Sequence, residues 1–166
     1  MQQIIPFIWF DGKAEEAANY YVSLFKNSKI ERVSRYGEGA PMPAGTVMTV
    51  ELQLDGQDVM MLNGGDTGQK PADAPYPGAV ALFISCETQA DVDRLWDGLM
   101  AGGESMRCGW VKDRYGVVWN IVPRGLGDYV GGDDKEGAQR AMQAMLKMDK
   151  LDIEELRRAY EGVPVT

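Results

Sequence analysis

Cys108 is the residue of this chain with the chemistry for covalent catalysis. The chain has two cysteines and no histidine, the residue that supplies the near-neutral general base of most hydrolytic triads. A thiolate can act as a nucleophile without histidine when neighbouring cations favour its ionised form, and Arg107 and Lys112 lie close in sequence. The alternative interpretation of Cys108 is a small buried side chain beside Gly109. Apart from this candidate, the sequence identifies no catalytic residue.

The remaining polar groups offer one further candidate site, a pair of carboxylates, and the two cysteines together offer none. Cys86 and Cys108 are too far apart for a CxxC pair, and two cysteines are too few for a disulfide framework or a closed zinc site. Glu51 and Asp58 flank a predicted Asp55–Gly56 turn and could form a carboxylate pair for acid–base chemistry. Their places beside a turn and on a polar strand face favour solvated side chains instead.

Composition excludes several classes of partner. The formal net charge is −8, and the 17 lysines and arginines are scattered, so nucleic acid is not an expected partner. Hydrophobic residues make up 45% of the chain, and no apolar run is long enough to span a bilayer. The start of the sequence lacks the flanks of a signal peptide. We therefore expect a cytoplasmic protein without a membrane or nucleic-acid partner.

Hydrophobic patterning predicts a β-α-β-β-β unit in the first part of the chain. Asp11 is the expected N-cap of its helix, which carries Glu15 and Glu16 in its first turn and ends near Asn27. The first strand has the β-branched and aromatic content of a strand that is buried on both faces. The predicted strands span 4–10, 30–36, 46–54 and 59–62.

The same order of elements recurs in the second part, and a helical tail follows. Thr88 is the expected cap of the second helix, and the Cys108–Gly109 bend predicts that one strand is divided into two short ones. Asp133 or Asp134, and then Asp152, are expected to cap two tail helices. The predicted strands span 79–86, 104–111 and 117–122. We interpret the chain as a module at 1–65, a linker at 66–78, a second module at 79–123 and a tail at 124–166.

Four strings of sequence carry a resemblance to a known family. They are PFIWFDGKAEEAANYYVSLF, LNGG at 62–65, CGWVKDRYGVVWNIVP at 108–123 and AMLKMDKLDI at 144–153. These strings are similar to the PhnB-like, 3-demethylubiquinone methyltransferase-like group of the vicinal oxygen chelate superfamily, which includes glyoxalases, bleomycin-resistance proteins and ring-cleaving dioxygenases. The pattern and the resemblance together predict an α+β fold, in which two tandem βαβββ modules form a curved mixed sheet around a cleft and a C-terminal helical pair follows. The resemblance also implies a homodimer.

Unsuitable side chains occupy the metal-ligand positions that the resemblance implies. These positions correspond to Ile4, Met60, Val80 or Ala81, and Asn120. Apart from Asn120, none carries a good metal donor, and an apolar side chain offers no coordinate bond in return for the water that the ion loses. No GxGxxG string is present to hold a nucleotide methyl donor. We therefore expect neither a metal nor another cofactor.

Strand alternation from those positions predicts which side chains line the cleft. Phe7, Trp9, Phe83, Trp119 and Ile121 are expected to pack against the helices. The predicted ligand-binding residues are Ile8, Met60, Leu62, Asn63, Leu82, Cys108, Trp110 and Asn120. This set makes the site mostly apolar, which suits a small apolar or aromatic molecule.

Three functions are compatible with this sequence. The first is metal-free binding of a small apolar or aromatic ligand in the cleft. The second is an enzyme of the glyoxalase/dioxygenase-like or methyltransferase type that acts on a small aromatic or quinone-like substrate. The third is a scaffold whose methionine-rich tail binds a protein partner. The apolar character of the predicted cleft favours the first.

Overall fold

The structure is a computed structural model that describes residues 5–37, 40, 42–65 and 80–163. The chain divides into two compact units, Met1–Lys70 and Pro71–Thr166, which we call unit 1 and unit 2. Each unit contains a four-stranded mixed sheet with a helix between its first two strands, and unit 2 continues into further helices, so the predicted α+β class with two βαβββ modules is confirmed. The predicted linker at 66–78 and the first predicted metal-ligand position, Ile4, lie outside the described residues.

Unit 1 is one sheet with a helix against one face. Its elements are β1 (Phe7–Phe10), α1 (Ala14–Leu24), β2 (Lys29–Arg35), β3 (Val47–Leu54) and β4 (Gln57–Asn63). The strand order is β1-β4-β3-β2, with β1 parallel to β4 and the other neighbours antiparallel. Asp55 and Gly56 form the β3–β4 turn with φ angles of 49° and 78°, as the Asp-Gly pair predicts.

The beginning of α1 differs from the prediction. Asp11 is not its cap, because the N-cap position is Lys13, whose side chain makes no capping hydrogen bond. Instead, the Oδ1 atom of Asn63 accepts the Ala14 N–H at 2.8 Å. The two residues are 49 positions apart in the sequence. The Nδ2 atom of Asn63 donates to the Val47 carbonyl at 3.1 Å. The end of β4 therefore supplies the acceptor that a local cap would otherwise provide, and sequence spacing does not reveal this.

Unit 2 has the same arrangement and continues into helices. Its elements are β5 (Leu82–Cys86), α2 (Gln89–Met100), β6 (Glu104–Ser105), β7 (Trp110–Lys112), β8 (Val118–Pro123), α3 (Leu126–Val130), α4 (Lys135–Met145) and α5 (Ile153–Glu161). The strand order is β5-β8-β7-β6, with β5 parallel to β8. Thr88 caps α2 as predicted, since its side chain accepts the Asp91 N–H at 3.1 Å. The strand predicted at 104–111 is divided into β6 and β7, as the Cys108–Gly109 bend indicates.

The turn between β6 and β7 has left-handed backbone at three successive residues. Arg107, Cys108 and Gly109 have φ angles of 67°, 51° and 79°. A Cβ atom at Gly109 would lie 2.6 Å from the Ile121 carbonyl oxygen, so glycine alone fits where this turn crosses β8. The Ile121 N–H donates to the Gly109 carbonyl at 2.7 Å, which ties the turn to the sheet.

A buried carboxylate organises the turn between β7 and β8. Asp113 is 3% exposed and accepts the backbone N–H groups of Tyr115 and Val117 at 2.9 and 3.1 Å. Its second oxygen accepts the indole N–H of Trp119 at 2.8 Å. The acidic and aromatic residues of the string at 108–123 are therefore linked in space, and this link explains their spacing in structural terms.

The tail contains three helices where two were predicted. Asp134 caps α4 and Asp152 caps α5, because their side chains accept the N–H groups of Glu136 and Glu155 at 3.1 and 2.9 Å. The extra helix, α3, has five residues, too few for a periodic hydrophobic pattern to predict it. Within the described ranges, no helix has the length and apolarity that crossing a membrane requires.

Candidate functional site

The sheet of unit 1 has one face against α1 and one face that is open. Asn63 bonds to the start of α1, so the β4 side chains that alternate with it, Met60 and Leu62, lie on the opposite face. The register places Phe7 beside Met60 and Trp9 beside Leu62. These four residues define the open face of unit 1.

The structure corrects the predicted direction of the β1 side chains. Ile8 pairs with the fully buried Met61 and therefore lies on the α1 face, although it was predicted to line the cleft. Phe7 and Trp9 were predicted to pack against the helix, but they are 58% and 53% exposed. The positions carried over from metal-binding relatives were off by one residue in this strand, and a shift of one residue turns every side chain to the other face.

Trp9 is held on the open face by two successive glycines. Its indole N–H donates to the Gly65 carbonyl at 2.8 Å. A Cβ atom at Gly64 would lie 2.0 Å from the Trp9 ring, so the ring occupies the space that glycine leaves. The exposed ring is thereby fixed in position, which gives the open face a flat aromatic surface that needs little ordering when a ligand covers it.

A hollow of about 310 Å³ indents this unit around Met60. It is lined by Ile5, Glu31, Glu51, Leu52, Gln53, Asp58, Val59 and Met60. The Gln53 Nε2 atom donates to Asp58 Oδ1 at 2.9 Å. The Lys29 Nζ atom forms an ion pair with Glu31 Oε1 at 2.8 Å. Glu51 and Asp58, predicted to be solvated, are half-buried and line the same hollow. The hollow therefore offers carboxylate acceptors beside an apolar wall.

The open face of unit 2 carries a matching row of side chains. Phe83, Asn120 and Trp110 lie opposite one another on β5, β8 and β7, and Val122 follows two residues after Asn120 on the same face. Leu82 pairs with the buried Trp119 instead, so it lies on the α2 side. Phe83 at the edge of this face is 65% exposed, whereas Asn120 at its centre is only 7% exposed. We call the face with Phe83, Trp110, Asn120 and Val122 the open face of unit 2.

The β5 prediction contains the same error of one residue as the β1 prediction. Phe83 was expected to pack against a helix and is 65% exposed, whereas Leu82 was expected in the cleft and lies on the other face. The predictions for β8 agree with the structure: Asn120 is on the open face, and Trp119 and Ile121 are buried on the α2 side.

Cys108 and Asn120 are brought together at the edge of this face. The Asn120 Nδ2 atom lies 3.4 Å from the Cys108 carbonyl oxygen, to which it donates. The Cys108 thiol donates to the Met145 carbonyl at 3.4 Å, an interaction that requires the protonated thiol. Lys112, one of the two cations near Cys108 in sequence, pairs with Glu104. Cys108 is therefore part of the contact between the β6–β7 turn and the tail.

The second thiol of the chain is buried. Cys86 is 3% exposed, and burial, followed by the negative charge of Asp91, raises the pKa of its thiol to about 11, while Arg94 acts in the opposite direction. A thiol with this pKa is almost entirely protonated at neutral pH and reacts slowly.

The side chains at the implied metal-ligand positions do not fit a divalent ion. Met60 offers only a thioether, Val80 and Ala81 are both apolar side chains, and Asn120 alone offers an amide oxygen, which is too few donors for a divalent ion. Among the described residues, no group of three or more histidine, cysteine, aspartate or glutamate side chains could hold a metal.

The glycine pair after β4 does not form a cradle for a nucleotide methyl donor. The glycine pair after β4 could have offered backbone N–H groups to a cofactor. Instead, the Trp9 ring fills the space at Gly64, and the Gly65 carbonyl accepts the Trp9 N–H. The Leu62–Gly65 string that carries part of the resemblance thus has a structural explanation: it positions Trp9 and, through Asn63, the start of α1.

Comparison with known proteins identifies the family. The family model described as 3-demethylubiquinone-9 3-methyltransferase matches residues 2–122. A PhnB protein from Bacillus cereus is 33% identical, with 74% of this chain and 99% of that protein covered and a TM-score of 0.63. Protein PA1353 from Pseudomonas aeruginosa is 21% identical, with 74% and 99% covered and a TM-score of 0.57, and this likeness shows the fold alone. No curated protein matches the chain.

The family match and the Bacillus cereus relative agree with the motifs and with the two βαβββ modules. The chain therefore belongs to the 3-demethylubiquinone-9 3-methyltransferase family, which includes the PhnB protein of Bacillus cereus.

Proposed function

We propose that this protein binds a small, mostly apolar or aromatic molecule on the open faces of its sheets, without a resident metal. The observation that carries this proposal is Trp9, a half-exposed ring that is fixed by Gly64 and Gly65 beside Phe7 and Met60. An exposed aromatic surface is a natural ligand contact when its conformation is already fixed, because binding then costs little side-chain entropy.

The magnitude of the apolar contact suits a small ligand. Covering on the order of 100 Å² of the exposed Trp9 and Phe7 rings would contribute about 2–3 kcal/mol at the usual value per unit of apolar area. Association itself costs at least about 4 kcal/mol in lost translation and rotation, so ring contact alone does not hold a ligand. Polar groups have to contribute the remainder.

The hollow beside Met60 supplies such groups. Glu51 and Asp58 line it and present carboxylate oxygens next to Ile5 and Val59. A few polar groups in an otherwise apolar site orient a ligand by hydrogen bonds. The favoured ligand is therefore an apolar or aromatic body with one hydrogen-bond donor that reaches the hollow.

Binding is a better assignment than catalysis for these groups. The implied metal-ligand positions do not fit an ion, the space at Gly64 is occupied by the Trp9 ring, and the Cys108 thiol donates to a carbonyl. The family description names methyl transfer, so the test of function includes the methyl donor as a separate probe.

Titration with N-phenyl-1-naphthylamine tests this proposal, because this neutral aromatic amine fluoresces when it leaves water. We expect saturable binding that weakens at least tenfold in Trp9→Ala. The matched control is Leu146→Ala, which removes an equally exposed apolar side chain, 55% exposed, from the C-cap of α4. Equal affinity in the wild-type protein and Trp9→Ala would overturn the assignment of the site.

Thermal unfolding with saturating S-adenosylmethionine tests the alternative. A ligand at a hundred times its dissociation constant stabilises a protein by about 2.7 kcal/mol, which is a readily measured shift. We expect no shift with this methyl donor. A saturable shift would favour the methyltransferase alternative over metal-free binding.

We also infer a homodimer, and the resemblance to the PhnB-like group supports it. Light scattering coupled to size exclusion measures the mass directly. A mass of twice 18.3 kDa is the expected result, and a single-chain mass at micromolar concentration would overturn the inference.

A further inference from the structure

The segment that follows β4 carries the two glycines against which the Trp9 ring rests. Glycine adopts many backbone conformations, so Gly64 and Gly65 do not fix this segment by themselves. The paired part of β4 ends at Asn63, directly before them. Hydrogen bonds from outside the segment therefore determine where the Gly65 carbonyl, which accepts the Trp9 indole N–H, is placed.

One peptide group at the start of the segment is bonded at both of its polar ends. The N–H of Gly64 donates to the Phe10 carbonyl on β1 at 3.1 Å. The carbonyl of Asn63, in the same peptide group, accepts the Tyr36 hydroxyl at 2.6 Å. Because a peptide group is planar, two bonds on its opposite ends fix its orientation and thus the direction in which the chain continues.

Tyr36 reaches this peptide group from the other side of the sheet. It directly follows β2, and β3 lies between β2 and β4, so its side chain extends past one strand to the end of β4. The Asn63 side chain is already engaged at α1 and at the Val47 carbonyl. Tyr36 is therefore the link between the backbone of Asn63 and β2.

The Tyr36 hydroxyl extends from a fixed backbone. The Tyr36 N–H donates to the Thr46 carbonyl at 2.9 Å, and the Tyr36 carbonyl accepts the Gly45 N–H at 2.8 Å. A tyrosine side chain also has only two torsions to order, so holding its hydroxyl in one place costs little entropy. The hydrogen bond to Asn63 thus joins two well-ordered parts of unit 1.

We propose that Tyr36 is a positioning residue of the ligand site on the open face of unit 1, an inference that rests on the proposed function. Its hydroxyl orients the peptide group between Asn63 and Gly64. The Gly65 carbonyl, one residue further on, then holds the Trp9 indole. Without the hydroxyl, the ring stays on the face but samples more orientations, and an aromatic ligand has to order it on binding.

The first measurement needs no ligand. The chain has four tryptophans, so a nitrogen–proton correlation spectrum shows four indole N–H signals, and Trp9→Ala identifies the Trp9 signal by its loss. We expect Tyr36→Phe to speed the exchange of the Trp9 indole hydrogen with water at least threefold. The backbone N–H of the fully buried Met61 should exchange as in the wild-type protein, which excludes general loosening of unit 1.

Tyr160→Phe is the matched control. It also removes one tyrosine hydroxyl that bonds to the backbone, since the Tyr160 hydroxyl accepts the Asp134 N–H at 3.2 Å. Tyr160 belongs to α5 of unit 2, so its loss should leave the exchange of the Trp9 indole hydrogen unchanged.

The second measurement is the affinity for N-phenyl-1-naphthylamine in Tyr36→Phe, Trp9→Ala and the double variant. We expect Tyr36→Phe to bind the dye at least threefold more weakly than the wild-type protein, and Tyr160→Phe to bind it equally well. Because Tyr36 acts through the indole, adding Tyr36→Phe to Trp9→Ala should change the affinity less than twofold. A residue that contacts the dye itself would weaken binding by the same factor in both backgrounds.

Four results would overturn the proposal, and they differ from one another. Unchanged exchange at Trp9 in Tyr36→Phe would mean that the ring is held without Tyr36. Faster exchange with unchanged dye affinity would mean that binding does not depend on a fixed ring. An equal loss of affinity with and without the indole would mean that Tyr36 does not act through Trp9. If exchange speeds up as expected while the wild-type protein binds no dye, the proposed function fails, and Tyr36 holds the ring for packing alone.

Discussion

The two open faces have the same backbone layout but different chemistry. Across β1, β4 and β3, unit 1 presents Phe7, Met60 and Glu51. Across β5, β8 and β7, unit 2 presents Phe83, Asn120 and Trp110 at the matching positions. Both units have phenylalanine on the edge strand. The polar residue is Glu51 on β3 in unit 1 and Asn120 on β8 in unit 2, and these two strands do not correspond. The repeated fold therefore fixes the positions of the side chains, whereas the residue types at those positions differ between the two units.

The two faces also differ in what holds them. In unit 1, Gly64 and Gly65 hold Trp9, and the ring stays 53% exposed. In unit 2, the residue two positions after Phe83 is Ser85, and Val122 beside it is covered by the tail. Unit 1 thus keeps an exposed aromatic surface, and unit 2 uses part of its face for its own packing.

The largest expected effect is a loss of unfolding free energy from a change in the β7–β8 turn of unit 2. Asp113→Ala removes one buried carboxylate that accepts three N–H groups, including the indole of Trp119. Buried donors left without acceptors cost about 1–3 kcal/mol each, so we expect unit 2 to lose about 3 kcal/mol of unfolding free energy. Urea unfolding followed by tryptophan fluorescence measures this loss.

The hairpin of unit 1 supplies the control for that change. Asp55 sits in a two-residue turn with a φ angle of 49°, a conformation that asparagine also adopts readily. Asp55→Asn should therefore change the unfolding free energy by no more than about 0.5 kcal/mol. A loss at Asp55 as large as that at Asp113 would show that the two turns do not differ in the way described.

The next effect concerns the glycine that makes room for the indole. Gly64→Ala places a methyl group 2.0 Å from the Trp9 ring, so the ring has to leave its position. Overpacking of this kind costs about 1–3 kcal/mol, and N-phenyl-1-naphthylamine should bind at least tenfold more weakly. Gly37→Ala is the matched control, because a Cβ atom there meets nothing within 4 Å. Unchanged dye affinity in Gly64→Ala would remove Trp9 from the site.

A smaller effect comes from exchanging the central residue of one face for that of the other. Asn120→Met gives unit 2 the side chain that unit 1 has at Met60 and removes the hydrogen bond to the Cys108 carbonyl. The lost bond is long, at 3.4 Å, so we expect a loss of about 1 kcal/mol or less. The affinity of the dye for the Trp9 site should not change, because Asn120 lies on unit 2 and is only 7% exposed. A change in affinity would mean that the dye contacts unit 2 as well.

Local signals allowed much of this fold to be predicted from the sequence. The Asp-Gly turn, the caps at Thr88, Asp134 and Asp152, and the interruption at Cys108–Gly109 all depend on residues within a few positions of one another. Such features are set by backbone conformation and by short-range hydrogen bonds, which the order of residue types reveals. The recurrence of the same order of predicted elements indicated the tandem modules, and the family resemblance agreed with it.

The features that could not be predicted depend on distant residues. Asn63 replaces the expected cap at Asp11 from the far end of β4, and Trp9 rests against glycines 56 residues away. The predicted faces of β1 and β5 were wrong by one residue. Which side chains share a face is decided by strand pairing, such as that of Phe7 with Met60, and the sequence does not show this pairing. The predicted ligand-binding role of the eight named residues stays a prediction, although the structure moves Ile8 and Leu82 to the helix side and engages Asn63 at α1.

The smallest effect tests the tail that distinguishes unit 2, through the ion pair of Lys150 and Asp93. The hydrogen bond from Lys150, and then that from Gln89, lowers the pKa of Asp93 below 3.8, and the bond to Asp93 raises the pKa of Lys150 above 10.5. The contribution of the lowered Asp93 is therefore present above pH 3.8 and disappears as the pH falls through its folded pKa. That of the raised Lys150 is present below pH 10.5 and disappears as the pH rises through its folded pKa.

Lys150→Ala should therefore lower the unfolding free energy at pH 7 by only about 0.5 kcal/mol or less, because both partners are more than a third exposed and water screens their attraction. The exposed Lys147 supplies the control, and Lys147→Ala should have no measurable effect. The difference between Lys150→Ala and the wild-type protein should vanish well below pH 3.8 and shrink in 1 M salt. A difference that persists at low pH would mean that the aliphatic part of Lys150, and not its charge, holds the tail to α2, because packing of its methylene groups does not titrate.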